Sequence, residues 1–181
     1  MIKCINSFCV GVGLALSAVP WVGAVEFPDG RVAFDQPPIF AEANTRYPQV
    51  LIPSPIYNFI LRVPDTAGEP LARLEIQQLP ALETLYFQPQ RTRAFVGTRP
   101  RQRTPLAAAV FDPSDQVLRI TFDPPIPPGT YLRVEISPVR NPQWEGVYLF
   151  GVTAFPRGGD RAIGQYIGTG RLQFYRGSDF L

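Results

Sequence analysis

Between Thr84 and Phe111 the chain carries five arginines, Arg91, Arg93, Arg99, Arg101 and Arg103, and no acidic residue. A guanidinium is a planar, permanently charged fork that forms paired hydrogen bonds with carboxylate, sulfate or phosphate, so this cluster suits the grip of an anion. The run is bounded by prolines and reads as a loop. If each arginine near an anionic surface contributes about 1 kcal/mol, five contribute about 5, which is a dissociation constant on the order of 0.2 mM. Such a loop holds loosely by itself, and firm attachment needs several copies or a second contact. The bland alternative is a solvated loop whose arginines pair with acids elsewhere.

A second set of groups is aromatic: Trp144, Tyr148, Phe150, Phe155, Tyr166, Phe174 and Tyr175 crowd the C-terminal third. Rings beside Arg140, Asn141 and Gln143 would stack on sugar faces if exposed, although such residues more often fill a core. Tyr148 and Phe150 share one face of an alternating stretch and are assigned to the core, whereas Trp144 lies in a Pro-Gln-Trp-Glu-Gly turn. Trp144 is therefore the candidate exposed aromatic contact.

What the chain lacks narrows its chemistry further. Beyond residue 24 there is no Cys, His, Lys or Met. That removes a histidine base, a cysteine nucleophile, a Schiff-base lysine and any His or Cys metal site, so no catalytic, cofactor-binding or metal residue is assigned. Ser54, Ser114, Ser137 and Ser178 have no base to activate them. Paired carboxylates among Asp112, Asp115, Asp123, Glu135 and Glu145 leave glycoside hydrolysis as the enzymatic alternative. Asp112-Pro-Ser-Asp115 reads as an Asx-type turn closing a hairpin rather than a calcium loop. The stretch from Gly164 to Gly170 lacks the Lys-Ser/Thr ending of a phosphate cradle and reads as a loop against a strand.

The first 24 residues have the three parts of a secretory leader. Lys3 supplies the positive start, Ile5 to Val19 the uncharged apolar stretch, and Pro20 to Ala24 the small-residue end. Gly11, Gly13, Pro20 and Gly23 make this a poor spanning helix, and cleavage after Ala24 is expected. No integral membrane segment would then remain, and both cysteines, Cys4 and Cys9, would leave with the leader. A mature domain of residues 25–181 would carry a formal charge near +1, which names no partner.

The elements that must position these groups are short. Apolar runs are cut by Pro or Gly, which argues for strands over helices. Strands are expected at Arg31 to Phe34, Tyr57 to Val63, Ala72 to Gln78, Thr84 to Phe87, Leu106 to Phe111, Val117 to Phe122, Tyr131 to Ser137, Val147 to Ala154 and Arg171 to Tyr175. In Tyr131 to Ser137, Leu132, Val134 and Ile136 alternate with polar neighbours, the period of a strand with one buried face. Phe40 to Pro55 reads as the longest loop. About seven to nine short antiparallel strands with turns between them predict an all-β, immunoglobulin-like β-sandwich in one domain. An outer-membrane barrel is disfavoured because its strands would be longer and poorer in proline.

Several segments together resemble a known family: Gly30 to Pro38, Ala67 to Leu71, Thr92 to Phe95, Phe122 to Thr130, Pro138 to Pro142, Gly146 to Pro156 and Gly164 to Tyr175. In their order and spacing they are similar to an exported cyanobacterial domain-of-unknown-function family, DUF 2808. That resemblance implies an envelope or lumenal location and supplies no activity, ligand or catalytic residue. A fainter likeness, in Pro127 to Ala154, is to the last hairpin of periplasmic copper-resistance sandwiches. It implies an immunoglobulin-like architecture but no copper, since the histidines that would bind it are missing.

The expectation is an exported, non-enzymatic binding or structural module of the periplasm or cell envelope, with the thylakoid lumen or exterior as other destinations. Its contact surface would be the Arg91 to Arg103 loop, and its partner an anionic polysaccharide, lipid headgroups or an acidic protein. Nucleic acid does not suit an exported protein. A carboxylate-based carbohydrate enzyme and a small-ligand carrier with an apolar cavity between sheets are the alternatives.

Overall fold

A computed structural model describes residues 25–26, 30–98 and 102–177. The leader, Arg99 and Arg101 lie outside the described residues. Twelve strands run β1 (Val25–Glu26), β2 (Val32–Ala33), β3 (Ile39–Thr45), β4 (Tyr57–Arg62), β5 (Leu71–Gln78), β6 (Arg93–Val96), β7 (Gln102–Thr104), β8 (Leu106–Asp112), β9 (Val117–Ile126), β10 (Tyr131–Ile136), β11 (Gly146–Pro156) and β12 (Gln165–Phe174). Two five-stranded antiparallel sheets, ordered β3-β4-β10-β6-β7 and β12-β11-β5-β9-β8, form an all-β, immunoglobulin-like sandwich. A small β1-β2 ribbon stands beside it.

Alternation sets the faces. Tyr57, Phe59 and Leu61 of β4 and Leu132, Val134 and Ile136 of β10 point inward from the first sheet. Leu74 and Ile76, Leu118 and Ile120, and Tyr148, Phe150 and Val152 meet them from the second. The space between the sheets is filled by interlocking rings: Phe59 on Phe150 at 5.9 Å, Tyr57 on Phe174 at 5.7 Å and Phe87 on Phe111 at 5.4 Å. Ring pairs of this kind, edge-to-face for Phe59–Phe150 and Phe87–Phe111 and tilted for Tyr57–Phe174, add to the area they bury.

Four expectations about elements are corrected. The stretch assigned to a long loop contains β3, whose register slips between Phe40 and Glu42, so Phe40 and Ala43 rather than alternate residues face the core. Thr84 to Phe87 is not a strand: only Phe87 bridges, to Pro138, while the buried Gln78 side chain accepts from Leu85 N–H (2.8 Å) and donates to the Glu83 carbonyl (2.7 Å). The amide serves the start of this segment, and the backbone of residues 137–139 serves its end through Val139 N–H to the Tyr86 carbonyl and Gln88 N–H to the Ser137 carbonyl. Gly164 to Gly170 is mostly strand β12, paired along β11. Finally, the copper-protein hairpin is absent, since β10 and β11 belong to opposite sheets.

Gly170 shows why β12 tolerates glycine. A Cβ there would stand 2.8 Å from Ala43 Cβ and 2.9 Å from Phe59 Cε1. The missing side chain lets β12 press on β3 and close one flank of the sandwich.

Candidate functional site

The described part of the arginine run is built from a 3-10 turn and paired strands. Pro89–Arg91 forms a 3-10 turn, closed by Thr92 N–H donating to the Pro89 carbonyl at 3.0 Å. β6 follows and pairs with β7, placing Phe95 opposite Arg103 and Val96 opposite Gln102. Arg93, two residues before Phe95, shares the outer face with Arg103, as diagonal neighbours about 7–8 Å apart at the backbone. Among the described residues, paired strands therefore replace the expected loop. β7 ends at Pro105, which has no N–H for a ladder, and Leu106 starts β8 at the edge of the other sheet.

An open cleft of about 430 Å³ sits at this change of sheet, lined by Thr92, Arg93, Arg103, Thr104, Pro105 and Leu106. Arg91, Arg93 and Arg103 are exposed, and none has an ion-pair partner among the described residues. The nearest acid in register, Glu135 of β10, lies directly across from Arg93. Its carboxylate is taken by Arg133, at 2.7 Å, and Arg133 also lies over the Phe95 ring at 5.0 Å. One self-neutralised pair thus separates the free cations from the rest of the sheet. Thr92 is only 6% exposed, and its hydroxyl has no hydrogen-bond partner.

Elsewhere, Asp112, Asp115 and Glu75 are spent within the fold. Asp112 Oδ1 accepts from the Ser114 hydroxyl (2.6 Å) and N–H (3.0 Å), forming the Asx turn between β8 and β9. These bonds from Ser114, followed by Arg119, hold the Asp112 carboxyl below the usual carboxylate range. Arg119 bridges Glu75 and Asp112 and reaches Asp115 at 3.9 Å. Glu135 stands on the opposite sheet, and Asp123 and Glu145 are exposed. The five acids considered for glycoside chemistry are thus distributed over both sheets and two connections. Among the described residues no group of three or more metal-ligating side chains forms.

Trp144 is 48% exposed, and its carbonyl accepts from the Tyr148 hydroxyl at 3.2 Å. The polar groups expected beside it are already occupied. Asn141, fully buried, donates to the carbonyls of Tyr47 (2.7 Å) and Gln49 (2.5 Å) and accepts from the Tyr57 hydroxyl (2.8 Å). Glu83 accepts from Arg140 and from Gln143 N–H. Of the other rings, Tyr148, Phe150 and Phe174 are core, Phe155 lies beneath Arg73 at 3.9 Å, and Tyr166 and Tyr175 are exposed. Sequence reasoning missed the Thr92–Leu106 cleft altogether. The signal was Thr92 next to Arg93 and Thr104 next to Arg103, legible only once the two segments are paired.

Among solved structures, the chain is similar to the collagen-binding domain of a Staphylococcus aureus adhesin, at 5% identity and a TM-score of 0.44, covering 76% of this chain and 97% of that one. It is similar also to ACE19, the collagen-binding subdomain of Enterococcus faecalis surface protein ACE, at 11% identity, a TM-score of 0.46 and coverages of 77% and 98%. A third likeness is to the structure reported as manganese lipoxygenase of Gaeumannomyces graminis with partial zonadhesin of Komagataella pastoris. There the identity is 12% and the TM-score 0.47, and 77% of this chain spans 46% of that one. All three scores lie below 0.5, and none identifies a ligand for this chain. No curated protein matches it. The family described as protein of unknown function DUF2808 does match, over residues 31–174 and hence both sheets of the sandwich, and the chain belongs to that family.

Proposed function

We propose that this protein is an exported, non-enzymatic binding module of the cell envelope that holds an anionic polysaccharide along its β6–β7 edge. The leader of residues 1–24 would be removed, leaving residues 25–181 as one domain. Arg91, Arg93 and Arg103, with Arg99 and Arg101 between them in sequence, are the contact residues, and Trp144 is a separate aromatic contact. The observation that carries this reading is that three exposed guanidiniums of the edge have no internal ion pair among the described residues. Six other described arginines, Arg62, Arg73, Arg119, Arg133, Arg140 and Arg157, do lie within 4.0 Å of a carboxylate. Cations left without internal partners beside an open cleft are available to an external anion.

The test is cosedimentation at low salt with purified envelope polysaccharide, with vesicles containing anionic lipid, and with an acidic protein, each against wild type and a variant with all five arginines changed to glutamine. The reading expects arginine-dependent binding to the polysaccharide. Unchanged binding by the variant discards the edge, and arginine-dependent binding to vesicles or acidic protein alone replaces the proposed partner.

A further inference from the structure

We infer that the cleft where the chain crosses from β7 to β8 is a subsite for a single uronic acid residue, its carboxylate held by Arg93 and Arg103 and assisted by the Thr92 hydroxyl. This deepens the proposed reading of the arginine edge as an anion-binding surface and rests on it. Three independent features converge. The cleft volume, about 430 Å³, lies within the range that small-molecule sites occupy. Arg93 and Arg103 present two unpaired forks from adjacent strands of a hydrogen-bonded sheet, so both are positioned by rigid backbone. Thr92 is more than nine-tenths buried, yet its Oγ1 satisfies nothing in the protein.

That last feature calls for a partner, because a buried hydroxyl without a hydrogen bond is disfavoured in folded proteins. Turning this hydroxyl toward a ligand breaks no existing bond. The remaining walls choose among anions. Pro105 and Leu106 offer an apolar surface for the C–H face of a pyranose ring, while the planar forks match a planar carboxylate in paired geometry. A free inorganic anion would leave the apolar wall unused. An acidic peptide would direct its contacts to the β7 edge and would not need the pocket.

The discriminating substitution is Thr92→Val, which keeps shape and removes only the hydroxyl. Binding of trigalacturonate is measured by calorimetry for wild type, Thr92→Val and the double variant Arg93→Gln/Arg103→Gln, with thermal unfolding of each alongside. Methyl-esterified trigalacturonate and a sulfated neutral trisaccharide serve as comparison ligands. The expected result for Thr92→Val is about tenfold weaker binding with an unchanged or raised melting temperature, since one hydrogen bond to a charged group is lost and no internal bond is. The double variant and the esterified ligand should show no measurable binding. Wild-type affinity for Thr92→Val, with the arginine variant impaired, overturns the subsite and leaves the arginine edge standing. Full affinity in the arginine variant overturns the edge reading itself. Preference for the sulfated sugar overturns the uronate assignment.

Discussion

Asn141 ties its own loop to the β3–β4 loop and to the start of β4, and its replacement by alanine should be costly out of proportion to its size. The side chain accepts from Tyr57, whose hydroxyl is buried between the sheets, and donates to the carbonyls of Tyr47 and Gln49. Alanine leaves the Tyr57 hydroxyl without a partner, a penalty of about 1–3 kcal/mol, and removes two further bonds worth about 1 kcal/mol each. The sum, about 3–5 kcal/mol, is a large fraction of the roughly 5–15 kcal/mol that holds a domain together. For a chain of this length each kcal/mol moves the melting temperature by about 2–4 °C, so Asn141→Ala should melt about 6–20 °C below wild type. Urea unfolding of Asn141→Ala, Tyr57→Phe and the double variant gives a cycle in which the Tyr57–Asn141 pair should show a coupling of about 1–3 kcal/mol. Below its transition the alanine variant should bind polysaccharide as wild type does, because the side chain is consumed inside the fold. A stability within about 1 kcal/mol of wild type would refute the argument.

Two further outcomes follow from the core. Gly170→Ala places a methyl within 3 Å of Ala43 and Phe59, so it should destabilise by about 1–3 kcal/mol, as overpacking does, and an unchanged urea midpoint would show that β12 does not press on β3 as described. Burial, reinforced by Tyr148 and Glu83, raises the Tyr57 phenol well above its ordinary value, and burial with Glu83 raises Tyr148 as well. The folded protein keeps protons that the unfolded chain releases above about pH 10, so stability falls as pH rises past that point. Phenolate absorbance should show the Tyr57 phenol ionising only as the fold is lost, and its reversible titration in the folded protein would contradict this.

The parts of this fold that were legible in the sequence are those where alternation is unbroken. In β10 every second residue is apolar and the others are polar, and the strand lies where that pattern places it. β3 escaped because its bulge sets Phe40 and Ala43, three apart, on the same side, which erases a period of two. Leu85 and Phe87 alternate like a strand but are buried as a packed loop, the Leu85 N–H served by the Gln78 amide and Phe87 by a single bridge to Pro138, which no local pattern reveals. Glycine in β12 reads as turn chemistry because the reason for it, the flank of β3, is distant in sequence. For the site, the charge run was visible, whereas its hairpin geometry was not. The cleft needs Thr92 and Thr104 brought beside one another by strand pairing, and the stabilising role of Asn141 needs residues 47–57 brought against a loop more than 80 residues later.

The most direct measurement is a calorimetric titration of the protein with a polyuronate across a series of ionic strengths, for wild type and for the chain with Arg91, Arg93, Arg99, Arg101 and Arg103 all changed to glutamine. Exposed cations gripping an anion predict sub-millimolar binding, on the order of 0.2 mM at low salt, that weakens as salt shortens the screening length from about 30 Å at 0.01 M toward 3 Å at 1 M, with no binding by the variant. Equal affinity for the two proteins, or an affinity indifferent to salt, would contradict the assignment of this edge as the contact surface.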